Sequence, residues 1–228
     1  MFLLGDVHGE KHLFKPFYNS DEKICLQLGD FGFLWQDQDI QRNKFLDTFE
    51  KEYPDKIILT ILGNHENYDL IARFPKVQIM GGNARKLRNN VFALERGDVF
   101  QIEGHLCLAI GGADSLDRYS RTAGVDWWPQ ETVTMKDISM AIKNVHKFAG
   151  GYVDYIFSHC LPYAVMHHFL PERTIYGQSE HRLDSLLDCP YVQFGEWYAG
   201  HIHITKDYKK FHTLGIGKSL IIPSKENN

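Results

Sequence analysis

Cysteine is scarce in this chain. Cys25, Cys107, Cys160 and Cys189 lie far apart in 228 residues, and no CxxC pair is present to hold zinc. Settings such as KICLQL and HLCLAI read as strand interior, so the four are expected to be reduced packing thiols, which points to a cytoplasmic location. A basic excess is also missing: 25 Lys and Arg face 29 Asp and Glu, a formal net charge of -4. That balance gives no global attraction to nucleic acid or anionic lipid, although it leaves room for a local basic pocket. Long apolar runs are absent too. The opening MFLLGDVHG has no basic flank and turns polar at once, so it reads as neither a signal peptide nor a membrane span. There is no repeat, low-complexity tract or linker, and 228 residues with 43% hydrophobic content suit one substantial core, a single domain over residues 1–228.

What the chain does have is a series of short runs rich in β-branched and aromatic residues. Phe2 to Leu4, Ile24 to Leu28, Ile57 to Leu62, Val77 to Met80, Val91 to Leu94, Val99 to Ile102, Leu106 to Ile110, Tyr152 to Phe157 and Tyr191 to Ala199 all predict strands. Ile40, Phe45, Leu46 and Phe49 at helical spacing predict an amphipathic helix from Asp39 to Tyr53. Ile138, Ile142 and Val145 predict another from Met135 to Phe148, opened by a capping box of Thr134 with Asp137. Shorter helical stretches are expected near Pro16 and from Glu180 to Leu187. From Val77 to Ala113 the helices vanish, and Arg96-Gly97-Asp98 and Glu103-Gly104-His105 read as hairpin turns. The last residues, Ser224 to Asn228, read as a frayed polar end. Strand-helix alternation on both sides of a strand-only middle predicts an α/β architecture of two packed sheets with helices outside.

The chemistry-bearing residues cluster where apolar runs end. Asp6 follows Phe2 to Leu4, Asp30 follows Ile24 to Leu28, Asn64 follows Ile57 to Leu62, His159 follows Tyr152 to Phe157, and His201 follows Trp197 to Ala199. Groups on loops beyond strand carboxyl ends are the ones an α/β sheet holds rigidly in one place. Asp6 with His8, and His201 with His203, are spaced to put two donors on the same side of an extended segment. A purely structural role for the whole set is disfavoured, because uncompensated buried carboxylates and imidazoles cost several kcal/mol. Oxygen and imidazole donors without thiolate suit manganese, iron, zinc, nickel or cobalt.

With Gly5-Asp6-Val7-His8-Gly9, Gly29-Asp30, Gly63-Asn64-His65-Glu66, Ser158-His159 and Gly200-His201-Ile202-His203 in this order and at wide spacing, nearly the whole chain resembles the calcineurin-like metallophosphoesterases. The resemblance implies a four-layer αββα sandwich with two mixed sheets, flanking helices and a metal site at the C-terminal ends of strands. It implies a binuclear centre in which Asp6, His8 and His203 hold the first ion, Asn64, His159 and His201 the second, and Asp30 bridges both. Manganese is the first expectation for the pair. Two ions roughly 3.5–4 Å apart can bind phosphoryl oxygens and acidify a bridging water, so a bridging hydroxide is the expected nucleophile. His65 is expected to give a proton or hydrogen bond to the leaving oxygen, and Cys160 to pack rather than react.

One part of the family pattern is missing. Many relatives carry an Asp three residues past the bridging one and then an Arg, whereas Phe33 and Leu34 stand here. Asp69 or Glu66 could take the carboxylate's part in orienting His65. For phosphate, the loop from Gly111 to Glu131 offers Arg118 or Arg121, with Trp127 and Trp128 shaping a groove. The competing reading pairs these arginines with Asp114, Asp117 or Asp126 and buries the tryptophans. The segment GGADSLDR also resembles a bacterial and phage branch of the family. The expected activity is a phosphomonoesterase acting on a phosphoprotein side chain or a small phosphate ester. The alternatives are a phosphodiesterase for cyclic nucleotides or nucleic acid, and a non-catalytic protein-binding scaffold. No membrane partner is expected, and nucleic acid is not favoured. Lys206, Lys209, Lys210 and His212 form a basic patch that a solvated edge strand explains.

Overall fold

The computed structural model describes residues 1–225. Strand β1 (Phe2–Leu4) leads through α1 (Lys15–Tyr18) to β2 (Ile24–Gln27), followed by α2 (Asp39–Arg42), α3 (Lys44–Glu52), β3 (Ile57–Thr60) and α4 (Tyr68–Ile71). A helix-free stretch holds β4 (Lys76–Ile79), β5 (Gly82–Arg88), β6 (Val91–Leu94), β7 (Asp98–Ile102) and β8 (His105–Ile110). Then come α5 (Met135–Ala149), β9 (Tyr152–Ser158), α6 (Tyr163–Met166), α7 (Gln178–Leu187) and β10 (Gln193–Ala199). The short strands β11 (Lys206–Tyr208), β12 (Phe211–Thr213) and β13 (Ser219–Ile221) follow.

These strands form two mixed sheets, seven-stranded in the order β13-β1-β2-β3-β6-β5-β4 and six-stranded in the order β11-β12-β10-β9-β8-β7. In the first, β1, β2, β3 and β6 run parallel between antiparallel edges. In the second, β8, β9, β10 and β12 do the same between β7 and β11. Parallel strands are covered on both faces, which is why Phe2–Leu4 and Val91–Leu94 are apolar throughout and buried throughout.

Successive residues of a strand serve different layers. Leu3, Leu26 and Leu59 of the first sheet meet Phe100, Ala109 and Phe157 of the second. Their neighbours Phe2, Cys25 and Ile58 face Phe17 of α1, Leu46 and Phe49 of α3, and Leu70 of α4. On the far side of the second sheet, Leu108, Ile156 and Trp197 pack with Ile138 and Val145 of α5 and Leu183 of α7. This alternation of helices, sheet, sheet and helices is compatible with a four-layer sandwich. The α5 capping box forms as expected, with Thr134 and Asp137 each accepting from the other's backbone N–H.

Several local expectations are revised. The helix expected from Asp39 to Tyr53 is broken at Asn43, which takes φ −83° and ψ 104°. Its Oδ1 accepts from Leu46 N–H at 3.1 Å and its Nδ2 donates to Phe33 O, so a side chain competing for backbone partners starts α3 anew. Ile40 and Phe45 still pack on the same cluster. Arg96-Gly97 closes no hairpin but carries the chain from β6 in one sheet to β7 in the other. Glu103-Gly104 does close one, and so does Met80-Gly81, both with positive φ at the two central residues as a type I′ turn requires. Strand β5 went unforeseen because its sequence, GNARKLR, is mostly polar and its register shifts between Lys86 and Arg88. The C-terminal end is docked rather than frayed as far as Lys225, whose N–H donates to Glu103 O at 3.0 Å and whose ammonium reaches Asp154 at 3.0 Å. The rest of that expected frayed end, residues 226–228, lies outside the described residues. Strand β11, carrying Lys206, lies at a sheet edge as expected. Among the described residues no helix is long and apolar enough to cross a membrane.

Asn43→Ala removes both the α3 cap and the tie to Phe33. Urea denaturation should show stability lower by about 1–2 kcal/mol with an unchanged m-value; a loss below about 0.3 kcal/mol would contradict the capping role.

Candidate metal centre

The carboxyl ends of β1, β2 and β3 in one sheet and of β8, β9 and β10 in the other meet at one rim. Gln27, a polar residue inside an apolar strand, ties part of it together. Its Nε2 donates to Gly5 O at 3.2 Å and to Gly29 O, while its Oε1 accepts from Gly29 N–H at 3.2 Å and Thr60 Oγ1 at 2.5 Å. The two sheets touch where β3 and β8 end: Gly112 N–H donates to Leu62 O at 2.6 Å, and a Cβ on Gly111 would collide with the Leu62 backbone.

Asp30 is the hub of this rim. Its Oδ1 accepts the backbone N–H groups of Asn64 at 3.0 Å and His65 at 2.9 Å, and lies 3.1 Å from His159 Nε2. The other oxygen, Oδ2, faces His8 Nε2 at 3.7 Å. Asp6 Oδ2 lies 3.2 Å from His203 Nε2, and both Asp6 oxygens accept His201 N–H at 3.1 Å. Two groups result, Asp6 with His8, Asp30 and His203, and Asp30 with His159 and His201. In each group the ligand atoms lie within 4.8 Å of one another and could hold a metal ion. Asn64 Oδ1, 3.2 Å from His159 Nε2, adds a further oxygen beside the second group.

The donor chemistry fits a divalent cation. His159 Nδ1 meets the Leu28 carbonyl at 2.7 Å, and because a carbonyl only accepts, the ring proton belongs on Nδ1. Nε2, the ring nitrogen beside the oxygens of Asp30 and Asn64, is then the one that donates a proton to them without a cation and can give that proton up to take one. His8 and His203 likewise bring their Nε2 atoms to 3.1 Å. Acceptors that face one another this closely need a proton or a cation between them, and hard nitrogen and oxygen donors suit the latter.

Backbone conformation marks the same residues. The expectation that Asp6–His8 and His201–His203 are extended is not met: His8, His201 and His203, as well as Asp30, have φ of 46°, 66°, 58° and 55°. The other non-glycine residues with positive φ among those described, Met80, Glu103 and Lys209, sit in the turns of strand pairs. The left-handed residues of the rim close no such turn. Unfavourable backbone states of this kind persist where surrounding structure enforces them, characteristically at functional sites. The neighbouring glycines are needed for space, since a Cβ at Gly63 would strike the Asp30 carboxylate and one at Gly200 the Asp6 carboxylate.

Burial and charge act against each other across the cluster. Burial by itself would raise the Asp30 carboxyl, but the His159 imidazole beside it, aided by His65 and His201, holds it far below its ordinary value. Burial would lower His159, yet Asp30 and Asp6 raise it to about 10. At His201 burial, followed by the His159 charge, outweighs the opposing Asp30 carboxylate and lowers the ring to about 3. The hydrogen bond to Asp6 raises His203. Glu66, buried and close to Asp30, is pushed up to about 8.

A cleft of about 410 Å³ opens on the cluster and is lined by His65, Arg121, Leu116, Leu170 and Arg173 together with Asp30, Asn64, His201 and His203. Arg121 lies on it while also pairing with Asp117 at 2.7 Å. Arg118 is not among the lining residues. It turns to Asp114 at 3.4 Å and over the rings of Tyr119 and Trp127. Trp128 is fully buried against Trp35, ring centres 5.4 Å apart, and with the Arg118–Asp114 and Arg121–Asp117 pairs this matches part of the competing reading of the loop. Arg173 was missed. It is fixed by Glu180 at 2.9 Å and lies over the Tyr176 ring, in a stretch whose sequence shows only scattered polar residues. Among the described residues neither candidate carboxylate bonds the His65 ring: Asp69 accepts from Gln130, and Glu66 accepts the N–H groups of Phe31 and Gly63. The His65 ring instead lies edge-on to His8, and burial lowers it below its ordinary value. Cys160 is buried, as a packing thiol would be. No protein-family model matches the chain, and no curated protein matches it.

His159 and Glu66 both bind protons more tightly in the folded metal-free protein than in the unfolded chain. The stabilising effect of each is full below its unfolded value and is lost as pH rises through about 8 for Glu66 and about 10 for His159. The urea midpoint of chelator-stripped protein should therefore fall from about pH 6 to about pH 9; a flat or rising midpoint would contradict this electrostatic balance.

Proposed function

We propose that the protein is a metal-dependent phosphoester hydrolase, acting as a phosphomonoesterase on a phosphoprotein side chain or a small phosphate ester. The observation that carries this reading is Asp30, whose two oxygens face the two donor groups separately. Asp6, His8 and His203 would hold one ion, Asn64, His159 and His201 the other, with Asp30 shared and manganese the first candidate. Two such ions, when bound, supply Lewis acidity, neutralising phosphoryl oxygens and acidifying a water for attack at phosphorus. The chain's own residues do the rest. Arg121 and Arg173, on the wall of the cleft, are placed to bind outward-facing phosphoryl oxygens, and they stand in for the arginine missing at Leu34. Glu180 and Tyr176 hold Arg173 in place beforehand, which spares ordering cost when substrate binds. His65 lines the same cleft, and its lowered basicity keeps the ring neutral near pH 7. A neutral ring still has one N–H to give to the departing ester oxygen as charge builds there.

Chelator-stripped protein reloaded with Mn²⁺ should hydrolyse p-nitrophenyl phosphate faster than bis-p-nitrophenyl phosphate or a 2′,3′-cyclic nucleotide. A dominant diester rate would change the substrate class to phosphodiesters, and no metal-dependent turnover on any of the three would leave a binding scaffold as the better account. His65→Ala should keep its metal content while losing about 10²–10³-fold in kcat on alkyl phosphates and much less on activated aryl phosphates; equal losses on both would sink the leaving-group role. Arg173→Ala should raise KM for the monoester by about tenfold or more with little change in metal content.

A further inference from the structure

Arg96 stands where the chain crosses from β6 in one sheet to β7 in the other, and its guanidinium gathers partners from three separate segments. Nη1 donates to Thr132 O at 3.0 Å and pairs at 3.2 Å with Asp137, the carboxylate of the α5 capping box. Nη2 donates to Gln130 O at 3.1 Å, Glu131 O at 3.3 Å and the Tyr68 hydroxyl at 3.3 Å. At the other end of the same loop a Cβ on Gly112 would strike this Nη2, so the guanidinium lies against the backbone there as well. The loop that carries Arg121 to the cleft is thus closed at both ends on one side chain. A planar fork of donors is what serves several carbonyls in different directions at once.

Tyr68 carries the tie onward. A hydroxyl can donate or accept, but its two partners here leave no choice. Arg96 only donates and the Gly63 carbonyl only accepts, so the Tyr68 oxygen takes the arginine's hydrogen and its own proton goes to Gly63 O at 2.7 Å. That carbonyl belongs to the same rigid peptide plane as the Asn64 N–H, which donates to Asp30 Oδ1 at 3.0 Å. The plane is therefore gripped at both edges, by Tyr68 on its oxygen and by Asp30 on its hydrogen. Rotating it would move Asn64 and the following His65, whose N–H also meets Asp30 at 2.9 Å.

We infer that Arg96 is a positioning residue for the reaction. Through Tyr68 it sets the Gly63–Asn64 peptide, and through the Gln130 and Thr132 carbonyls it holds the loop of Arg121. The metal-facing and substrate-facing halves of the site thereby keep one fixed spacing. This rests on the hydrolase reading given above and extends it to a side chain that does not line the cleft.

The test is steady-state hydrolysis of p-nitrophenyl phosphate at saturating Mn²⁺ by Tyr68→Phe, Arg96→Lys and the double variant, each checked for folding by circular dichroism. Tyr68→Phe deletes one oxygen and leaves the loop's carbonyl contacts, so kcat should fall by about tenfold or more with KM within about twofold of wild type. Arg96→Lys keeps a charge beside Asp137 but loses the fork. The same fall in kcat should then come with KM raised about fivefold or more, as the loop of Arg121 loosens. Adding Tyr68→Phe to Arg96→Lys should lower kcat by no more than about twofold further, since both act along one path. Wild-type kcat in Tyr68→Phe, a raised KM in that variant, or losses that multiply in the double variant would each overturn the inference alone. Tyr68→Phe carries the test by itself if Arg96→Lys folds poorly. Absence of Mn²⁺-dependent turnover in wild type would instead overturn the hydrolase reading on which it rests.

Discussion

A carboxylate buried at the meeting point of two sheets constrains the rest of this structure. Asp30 is 1% exposed, and an unpartnered charge there would cost several kcal/mol. Its surroundings answer that cost from several directions. The loop after β3 gives it two backbone N–H groups, from Asn64 and His65. The end of β9 brings His159, and the loop after β1 brings His8. These partners follow three strands, β1 and β3 of one sheet and β9 of the other, so the carboxylate can be satisfied only when both sheets are in place. Folding of the apolar layers and assembly of the rim are in this sense one event.

The sandwich supplies stiffness and the loops supply chemistry. Leu3, Leu26 and Leu59 press against the second sheet, and their sequence neighbours hold the helices, so the parallel strands have no freedom to shift register. Left-handed backbone at His8, Asp30, His201 and His203 is tolerable only on such a support. The same rigidity lets glycines such as Gly63 and Gly200 bring backbone against carboxylates with no room for a side chain. The proposed hydrolase then divides its tasks by position, with ion-holding groups at the tips of strands and substrate-facing groups such as Arg121 and Arg173 on longer connections. That division lets one core serve different esters by changing loops alone.

Reading from residues to structure succeeded where the signal was local and repeated. Apolar runs three to nine residues long marked β1, β2, β3, β6, β8, β9 and β10, because a parallel strand is covered on both faces. The ligand candidates were visible because each stands directly after such a run. Strand β5 escaped notice because at the sheet margin Ala84 and Leu87 are nearly all that needs burying. The break at Asn43 escaped because it depends on Phe33 O, ten residues away and on another element. Arg173 escaped for a similar reason: nothing in its neighbourhood says that Glu180 will turn it toward the cleft.

The sequence by itself determined the layered α/β architecture and the order of carboxylate, amide and imidazole residues along one rim, since hydrophobic period and strand-end position are properties of short segments. The tertiary structure alone decided which atoms face one another. It set Asp30 between two donor groups, put a His159 proton on Nδ1 through the Leu28 carbonyl, turned Arg118 away and Arg173 inward, and tied Tyr68 to the carbonyls of Gln130 and Thr132 through Arg96. These are contacts between residues up to 131 positions apart, and their direction depends on distances of a few ångströms that only the packing of the two sheets defines.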